Sequence, residues 1–422
     1  MQYLRGFRDT GVPFFFKLGL NERRWPMRSA VLYTEEIDEM NVAVEELFEQ
    51  TKDFEFGKSS LAIIFTEEEV DYLELYEHLS KKWDFPMIGS TAMASLLGEQ
   101  GYCGGGISVL LLSADDCTFA AGIAGDLNRS NYEEKLTDAY RQTTAALDEA
   151  PKLVLAYACM VNGEGNVSGD EMVMMMDKLS GGAPVYGGLS SDDFNFNNVK
   201  VFCNDKIDDK GLVMATITGN VNPIFIHVNS IKNKASFSYE VTKSVDNKVL
   251  MLGERTFVDT LKKEDMETDK EDVLADYIMS PFVLSVKGDD DDKVEVGRVL
   301  SSLNLEEGSG LFYGLIPEGT VLNIGLLNKD DVQYTIEHAF DEAFEARVGS
   351  QYSTLLCTSC CARYVALGAN SSSEPASFQN RLPEGTNLAG MYAYGEFCPV
   401  KGSKTGKEYN MFHNFTFTIL AL

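Results

Sequence analysis

The sequence predicts an α/β protein of two domains, in which mixed sheets are covered by helices, and three observations point there. The first is order: a strand-helix-strand-helix-strand unit is written three times along the chain. The second is the texture of strands such as Leu61-Ala62-Ile63-Ile64-Phe65 and Leu153-Val154-Leu155-Ala156-Tyr157. These are unbroken apolar runs, suited to a sheet covered on both faces. The third is a single apolar stripe on the first helix of each unit, opposite a charged face. Ile37, Met40, Val44, Leu47 and Phe48 carry it first, then Tyr132, Leu136, Ala139 and Tyr140, then Val332, Ile336, Ala339, Phe340 and Ala343.

In the first unit a strand over 30–33 leads to a helix with Thr34 as N-cap, where Glu35 and Glu36 oppose the helix dipole. A strand over 61–65, a helix over 70–83, the turn Phe85-Pro86-Met87-Ile88-Gly89 and a strand over 107–112 follow. The second unit reads as a strand over 118–123, a helix over 131–147, a strand over 153–158, a helix over 170–179, the segment Val185-Tyr186-Gly187-Gly188, and strands near 199–202 and 212–217. The third starts with a strand over 321–326, then a helix over 331–347, a strand over 354–358, a short helical or loop stretch after Ser373, Leu388-Ala389-Gly390-Met391-Tyr392 and a closing strand over 415–420. Between the second and third units the chain turns β-rich, over 223–228, 235–241, 282–286 and 294–300, and these strands are expected to begin the second domain. The expected division is 1–26 as an N-terminal arm, 27–221 as the first domain and 222–422 as the second.

The chain has 422 residues, enough for two or three domains, and carries 36 basic against 65 acidic side chains for a net charge of −29. Such a balance repels phosphate backbones and anionic headgroups, so nucleic acid and membrane surfaces are not expected partners. Mean hydropathy is −0.13, ordinary for a soluble globular chain. The eight cysteines show no disulfide spacing, and two are adjacent, which points to a reducing cytoplasm. No apolar run approaches the roughly 18 residues a membrane span needs. Residues 12–20 are interrupted by Lys17 and lack a small-residue cleavage site, so they do not read as a signal peptide. Residues 1–26 carry an excess charge of +3, against −32 for the rest. Glu22-Arg23-Arg24-Trp25 can be encoded by a run containing a bacterial ribosome-binding sequence just before Met27. Two readings therefore stand for this arm: an untranslated leader with Met27 as the start, or a loose N-terminal extension.

Candidate chemistry gathers near the end of the chain. Cys360 and Arg363 follow an apolar strand, where α/β folds place ligands. Arg363 offers a planar fork for a carboxylate, while Glu374 or Glu396 can neutralise an ammonium group, a set suited to an amino acid. An internal Arg363–Glu396 ion pair is the competing reading. Cys360, His413 and Asn414 supply the residue types of a thiol hydrolase, although adjacent residues on a strand point to opposite faces. Zinc would need Cys357, Cys360, Cys398 and His413 to converge, and a second close pair is missing, so apolar packing is expected for most cysteines. No motif implies a metal or a cofactor. Asp289-Asp290-Asp291-Asp292 lacks the alternation of a calcium loop and reads as a solvated hairpin tip. Met172 to Met176 reads as core packing. The glycine-rich stretches, including Gly163-x-Gly165 and Gly187-Gly188, match no phosphate-binding pattern.

Against these residues the chain resembles the FIST family, which pairs an N-terminal and a C-terminal FIST domain. The resemblance rests on Phe85-Pro86-Met87-Ile88-Gly89-Ser90-Thr91 and Val185-Tyr186-Gly187-Gly188-Leu189-Ser190-Ser191-Asp192-Asp193 in the first domain. In the second it rests on Val241-Thr242-Lys243, Gly297-Arg298-Val299, Ile316-Pro317-Glu318-Gly319-Thr320-Val321, Cys360-x-x-Arg363, Tyr394-Gly395-Glu396 and Asn414-x-Thr416. The family often has cysteine where this chain has Ser90. The resemblance implies a sensory module of bacterial signal transduction with amino acids or their derivatives as suspected ligands, and often a fused output domain. No such output domain is read in this chain, which points to a separate signalling partner or to a role in metabolism near its ligand. The expected function is a cytoplasmic sensor whose ligand contacts Cys360, Arg363, Glu374, Tyr394, Glu396 and Asn414, with Arg298, Gly188 and Asp193 as contributors. A thiol-dependent hydrolase using Cys360 and an acidic protein-binding adaptor are the alternatives.

Overall fold

Three glycines show why the units share one form. Gly89, Gly187 and Gly390 each lie on a strand that runs parallel to the second strand of its unit, in register with Ile64, Ala156 and Cys357. A Cβ on them would stand 1.9, 1.9 and 2.1 Å from the carbonyl oxygen of that same partner, so only glycine lets the strands close. The architecture comes from a computed structural model, which describes residues 3–7, 13–17, 27–159, 167–287, 292–346, 352–370, 373–379, 381–382 and 385–422.

The first unit runs through strand Met27–Thr34, helix Met40–Glu49, strand Ser59–Thr66, helix Tyr72–Leu79, strand Met87–Thr91, a hairpin of Ser95–Leu97 and Gly101–Cys103, and strand Ile107–Ala114. The second repeats this as Cys117–Ala124, Tyr132–Thr144, Leu153–Ala158, Gly169–Ser180, Val185–Leu189, the hairpin Val201–Cys203 and Lys206–Asp208, and Leu212–Gly219. The third is Ile224–Asn229, helix Lys329–Ala346, Thr354–Cys360, helices Cys361–Leu367 and Ser373–Gln379, Asn387–Ala393, the hairpin Glu396–Lys401 and Glu408–His413, and Thr416–Ala421. In every unit the closing strand lies between the first and second strands, antiparallel to both.

The hairpins are exchanged in a ring. The hairpin of the second unit completes the sheet of the first, through Val201–Cys203 on Met87–Thr91. That of the third completes the sheet of the second, through Gly188 opposite Glu396. That of the first completes the sheet of the third, through Ser95–Leu97 on Asn387–Ala393. Each sheet thus has six strands, four of its own and two borrowed. One apolar core runs through all three units, from Leu61 and Phe65 through Tyr157 and Met176 to Leu356 and Phe417.

Two sequence expectations change. The third unit opens with Ile224–Asn229, not with a strand over 321–326: Val321–Leu326 belongs to an eight-stranded sheet inserted between that opening strand and the helix Lys329–Ala346. The insert carries its own core of Phe237, Phe257, Phe282 and Phe312, which makes its strands read as a continuous domain. The first helix begins at Met40 with Glu39 as cap, because Thr34 stays in the strand and spends its hydroxyl on Glu46. Residues 3–7 and 13–17 pair as a two-stranded sheet of their own. The stretches 289–291 and 163–165 lie outside the described residues, whereas Asp292 turns inward and accepts from Lys404 N–H. Met172, Met175 and Met176 pack in the core, as their helical spacing predicts. All eight cysteines are free and buried. Among the described residues no helix is long and apolar enough to cross a membrane.

Candidate functional site

Hydrogen bonds tie the carboxyl ends of the parallel strands together at the middle of the ring. The Ser191 hydroxyl donates to the Tyr392 carbonyl at 2.6 Å and accepts from Met93 N–H at 2.9 Å, joining all three units at one side chain. Ser191 N–H reaches the Thr91 carbonyl, and Tyr392 N–H reaches that of Ala94. Ligands in α/β folds collect beyond such strand ends, and two cavities open here. The larger, of about 500 Å³, is walled by Phe194 and Phe196 of the second unit, by Cys360, Cys361, Ala362, Val365 and Tyr394 of the third, and by Asp272, Leu274, Ala275, Ile278, Val299 and Tyr313 of the insert. The smaller, of about 310 Å³, is lined by Glu67, Glu68, Glu69, Asp192 and Asp193, with Ala92, Met93, Tyr102, Gly104, Gly105 and Tyr364. Phe194 faces Tyr364 at 6.5 Å between ring centroids, at the boundary of the two.

The loop after Val185–Leu189 is built around one carboxylate. Asp192 accepts backbone N–H bonds from Asn195, Phe196, Asn197 and Asn198 at 2.9 to 3.1 Å and a further bond from the Tyr394 hydroxyl. Burial pushes its pKa up, but the Tyr394 hydroxyl and these N–H groups outweigh burial and hold the carboxyl below its ordinary range. The loop bends through Phe194 and Phe196, both left-handed at φ 58° and 59°, a conformation that costs roughly 1–2 kcal/mol for a residue with a Cβ. That bend delivers two rings to the cleft. Phe196 stacks on Tyr394 at 4.5 Å and lies parallel to Tyr313 at 6.1 Å.

Of the residues singled out in the sequence, Cys360 and Tyr394 line the larger cavity, and Asp193 lines the smaller. Arg363, Glu374, Glu396 and Asn414 lie beneath, all fully buried. Arg363 pairs with Glu374 at 3.0 Å, and its remaining donors go to Ser359, Ser230 and the Val332 carbonyl. Glu374 also accepts from Ser359 at 2.8 Å and from the Tyr392 hydroxyl at 2.6 Å. Each nitrogen of the guanidinium has a partner and the group is fully buried, so it presents no free fork to a carboxylate in the cavity. Glu396 is bound through Oε2 by the Thr416 hydroxyl at 2.6 Å, while Oε1 has no hydrogen-bond partner among the described residues. Burial, opposed by Thr416 and by the Arg363 charge, lifts the Glu396 carboxyl to about 8. Asn414 donates to the Tyr394 carbonyl at 3.3 Å, which places it behind the cavity wall.

Arg298 and Gly188 lie apart from these cavities. Arg298 is buried against Asp170 at 2.6 Å and also donates to the carbonyls of Leu315, Gly297 and Phe412, clasping the insert to the second unit. Gly188 is a contact between sheets, where a Cβ would stand 2.6 Å from the Gly395 carbonyl oxygen. At Cys360, burial and the nearby Glu396 carboxyl push the thiol pKa well up, away from the thiolate a nucleophile needs. His413 is turned away toward the Cys398 carbonyl and His227, with its pKa pulled well down by burial and by His227, so it offers Cys360 no base. The sequence reasoning missed Phe194, Phe196, Tyr313 and Asp272. The first two carry a readable signal, since an aromatic pair inside Asp192-Asp193-Phe194-Asn195-Phe196-Asn197-Asn198 is out of place in a polar turn.

Comparison with known proteins gives two matches. The FIST N domain matches residues 60–255 and the FIST C domain matches residues 258–399. No curated protein matches the chain. These domains are associated with sensory signal transduction and the binding of small ligands. With both domain types in tandem over most of its length, and a cleft walled from both matched regions, the chain belongs to the FIST family.

Proposed function

We propose that the protein is a cytoplasmic sensor whose small ligand enters the larger cavity and whose signal passes to a separate partner protein. The observation that carries this reading is the cleft of about 500 Å³ at the joined strand ends, within the range of about 300–1,000 Å³ common for small-molecule sites. Its walls come from the second unit, the third unit and the insert, so an occupant bridges segments far apart in sequence. Phe196 is part of that wall and part of the Asp192 loop, so filling the cleft repacks a loop that reaches the surface at Asn195 and Asn197. A change at the ligand thereby becomes a change of surface, which is what a partner can read.

Amino acids and their derivatives are the class to test first, with one revision to the recognition scheme. Arg363 is spent on Glu374, Ser230 and Ser359, so the ammonium group and the side chain of the ligand carry recognition. The hydrolase alternative finds less support, because burial and the Glu396 carboxyl push the Cys360 thiol pKa well up and His413 bonds the Cys398 carbonyl instead. Isothermal calorimetry against an amino-acid and amine panel tests the proposal, together with a Val365→Trp variant. Val365 is 41% exposed at the rim, so a larger ring there blocks the cleft without disturbing the core. At least one compound is expected to bind wild type and to lose about tenfold or more in affinity to the blocked variant, some 1.4 kcal/mol. Equal binding by both proteins would refute the placement of the site.

A further inference from the structure

The charges around the two cavities are one-sided. The larger is lined by a single charged side chain, Asp272, and the smaller by five carboxylates, while no lysine, arginine or histidine is among the described lining residues of either. The two arginines buried nearby are neutralised internally, Arg363 by Glu374 and Arg298 by Asp170. One carboxylate is also short of a partner: Glu68 Oε2 is inaccessible to solvent and has no hydrogen-bond donor among the described residues. Burial raises the pKa of Glu68, as expected where no positive charge is at hand. Within a chain of net charge −29, the field in this cleft attracts cations.

The uncharged part of the wall has its own preference. Phe194, Phe196, Tyr313 and Tyr394 present rings to the larger cavity, and Tyr102 and Tyr364, stacked at 5.8 Å, present theirs to the smaller. The electron-rich face of an aromatic ring attracts a cation, most strongly one with a weakly hydrated alkyl shell that leaves water cheaply. A carboxylate here would meet ring faces and other carboxylates. A bare metal ion would find no converging ligand set, since no group of three or more His, Cys, Asp or Glu residues among those described could hold one.

We propose that the larger cavity takes an organic cation, an alkylated ammonium whose methyl or methylene shell packs on Phe194, Phe196 and Tyr394 and whose charge faces Asp272, within the field of the five carboxylates that line the neighbouring smaller cavity. This assignment rests on the cleft being the ligand site and names the chemical class of its occupant. Loss of water from the alkylated head favours entry into an aromatic cavity. The carboxylates supply the counter-charge that Arg363 and Arg298 do not.

Three probes of one shape test it by calorimetry on the full chain: choline, its neutral isostere 3,3-dimethylbutan-1-ol and the carboxylate 3,3-dimethylbutanoate. Choline is expected to bind about tenfold more tightly than the neutral isostere, as for a desolvated cation–ring contact, and the carboxylate more weakly still. Choline affinity is expected to fall with added salt and in Phe196→Leu, Asp272→Asn and Asp193→Asn, the last two being exposed side chains whose loss leaves folding intact. A neutral isostere that binds as tightly as choline, or a carboxylate that binds more tightly, overturns the cation assignment while the ligand-sensing reading survives. No binding by any of the three overturns the assignment as well. Failure of the wider amino-acid and amine panel with Val365→Trp is what overturns the sensing reading itself.

Discussion

At the scale of single residues, the two buried glutamates show how the same side chain serves opposite ends. Glu374 is enclosed with a guanidinium and two hydroxyl donors, so its charge is matched. Glu396, fully buried with one oxygen lacking a hydrogen-bond partner among the described residues, keeps its proton to about pH 8, whereas an unfolded glutamate loses it near 4.5. A folded pKa above the unfolded one means that this group's contribution is complete below pH 4.5 and is lost as pH rises toward 8. His227 runs the other way: burial lowers it from 6.5 to about 4, so its contribution is complete above pH 6.5 and is lost as pH falls toward 4. Glu396→Gln, which keeps a neutral side chain of the same size, is expected to melt progressively higher relative to wild type between pH 5 and pH 8. Thermal melts at several pH values read the difference, and a constant offset across that range would contradict the burial argument.

At the scale of elements, the Asp192 loop is held under several constraints at once. Four backbone N–H groups and one tyrosine hydroxyl converge on a single carboxylate, and two phenylalanines pay for the bend with left-handed backbones. Asp192→Ala leaves those donors to solvent and lets both rings withdraw. The expected cost is about 1–3 kcal/mol of stability. Ligand affinity is expected to fall with it, since the same loop supplies Phe194 and Phe196 to the cleft. Hydrogen exchange on 194–198 checks the link: protection in wild type and rapid exchange in the variant are the expected pair, and unchanged protection would show that the carboxylate does not hold the loop.

At the scale of the whole molecule, exchange of hairpins makes the three units one ring. Residues 27–221 alone would lose Glu396–Lys401 and Glu408–His413 from the second sheet, and would leave Ser95–Leu97 and Gly101–Cys103 without the sheet they join. Bare strand edges and an opened apolar core favour association, so this fragment is expected to aggregate or to melt without a cooperative transition. The full chain is expected to unfold its ring in one step by calorimetry. A soluble, cooperatively melting 27–221 fragment would show that the borrowed hairpins are dispensable.

Much of this was legible in the residues. Continuous apolar strands and amphipathic helices encode local form, because burial on one or both faces must be written into every element, and their order alone exposed the three repeats. Glycine at positions 89, 187 and 390 belongs to the same legible layer, since each makes room for a carbonyl of its own unit. Sequence order could not show that Val321–Leu326 pairs with inserted strands while Ile224–Asn229 opens the third unit, because a strand carries no label naming its partner. It placed Arg363 just beyond a strand end but could not tell an open guanidinium from a sealed one, nor show that Glu374 rather than Glu396 pairs with it. That depends on Ser230 and Tyr392 arriving from elsewhere in the fold to join Ser359 around the pair. Composition and periodicity determined the layers and the repeat, which are properties of contiguous residues. The cleft, its aromatic walls and the sign of its charge were decided by the tertiary structure, because they are made where segments distant in the chain meet.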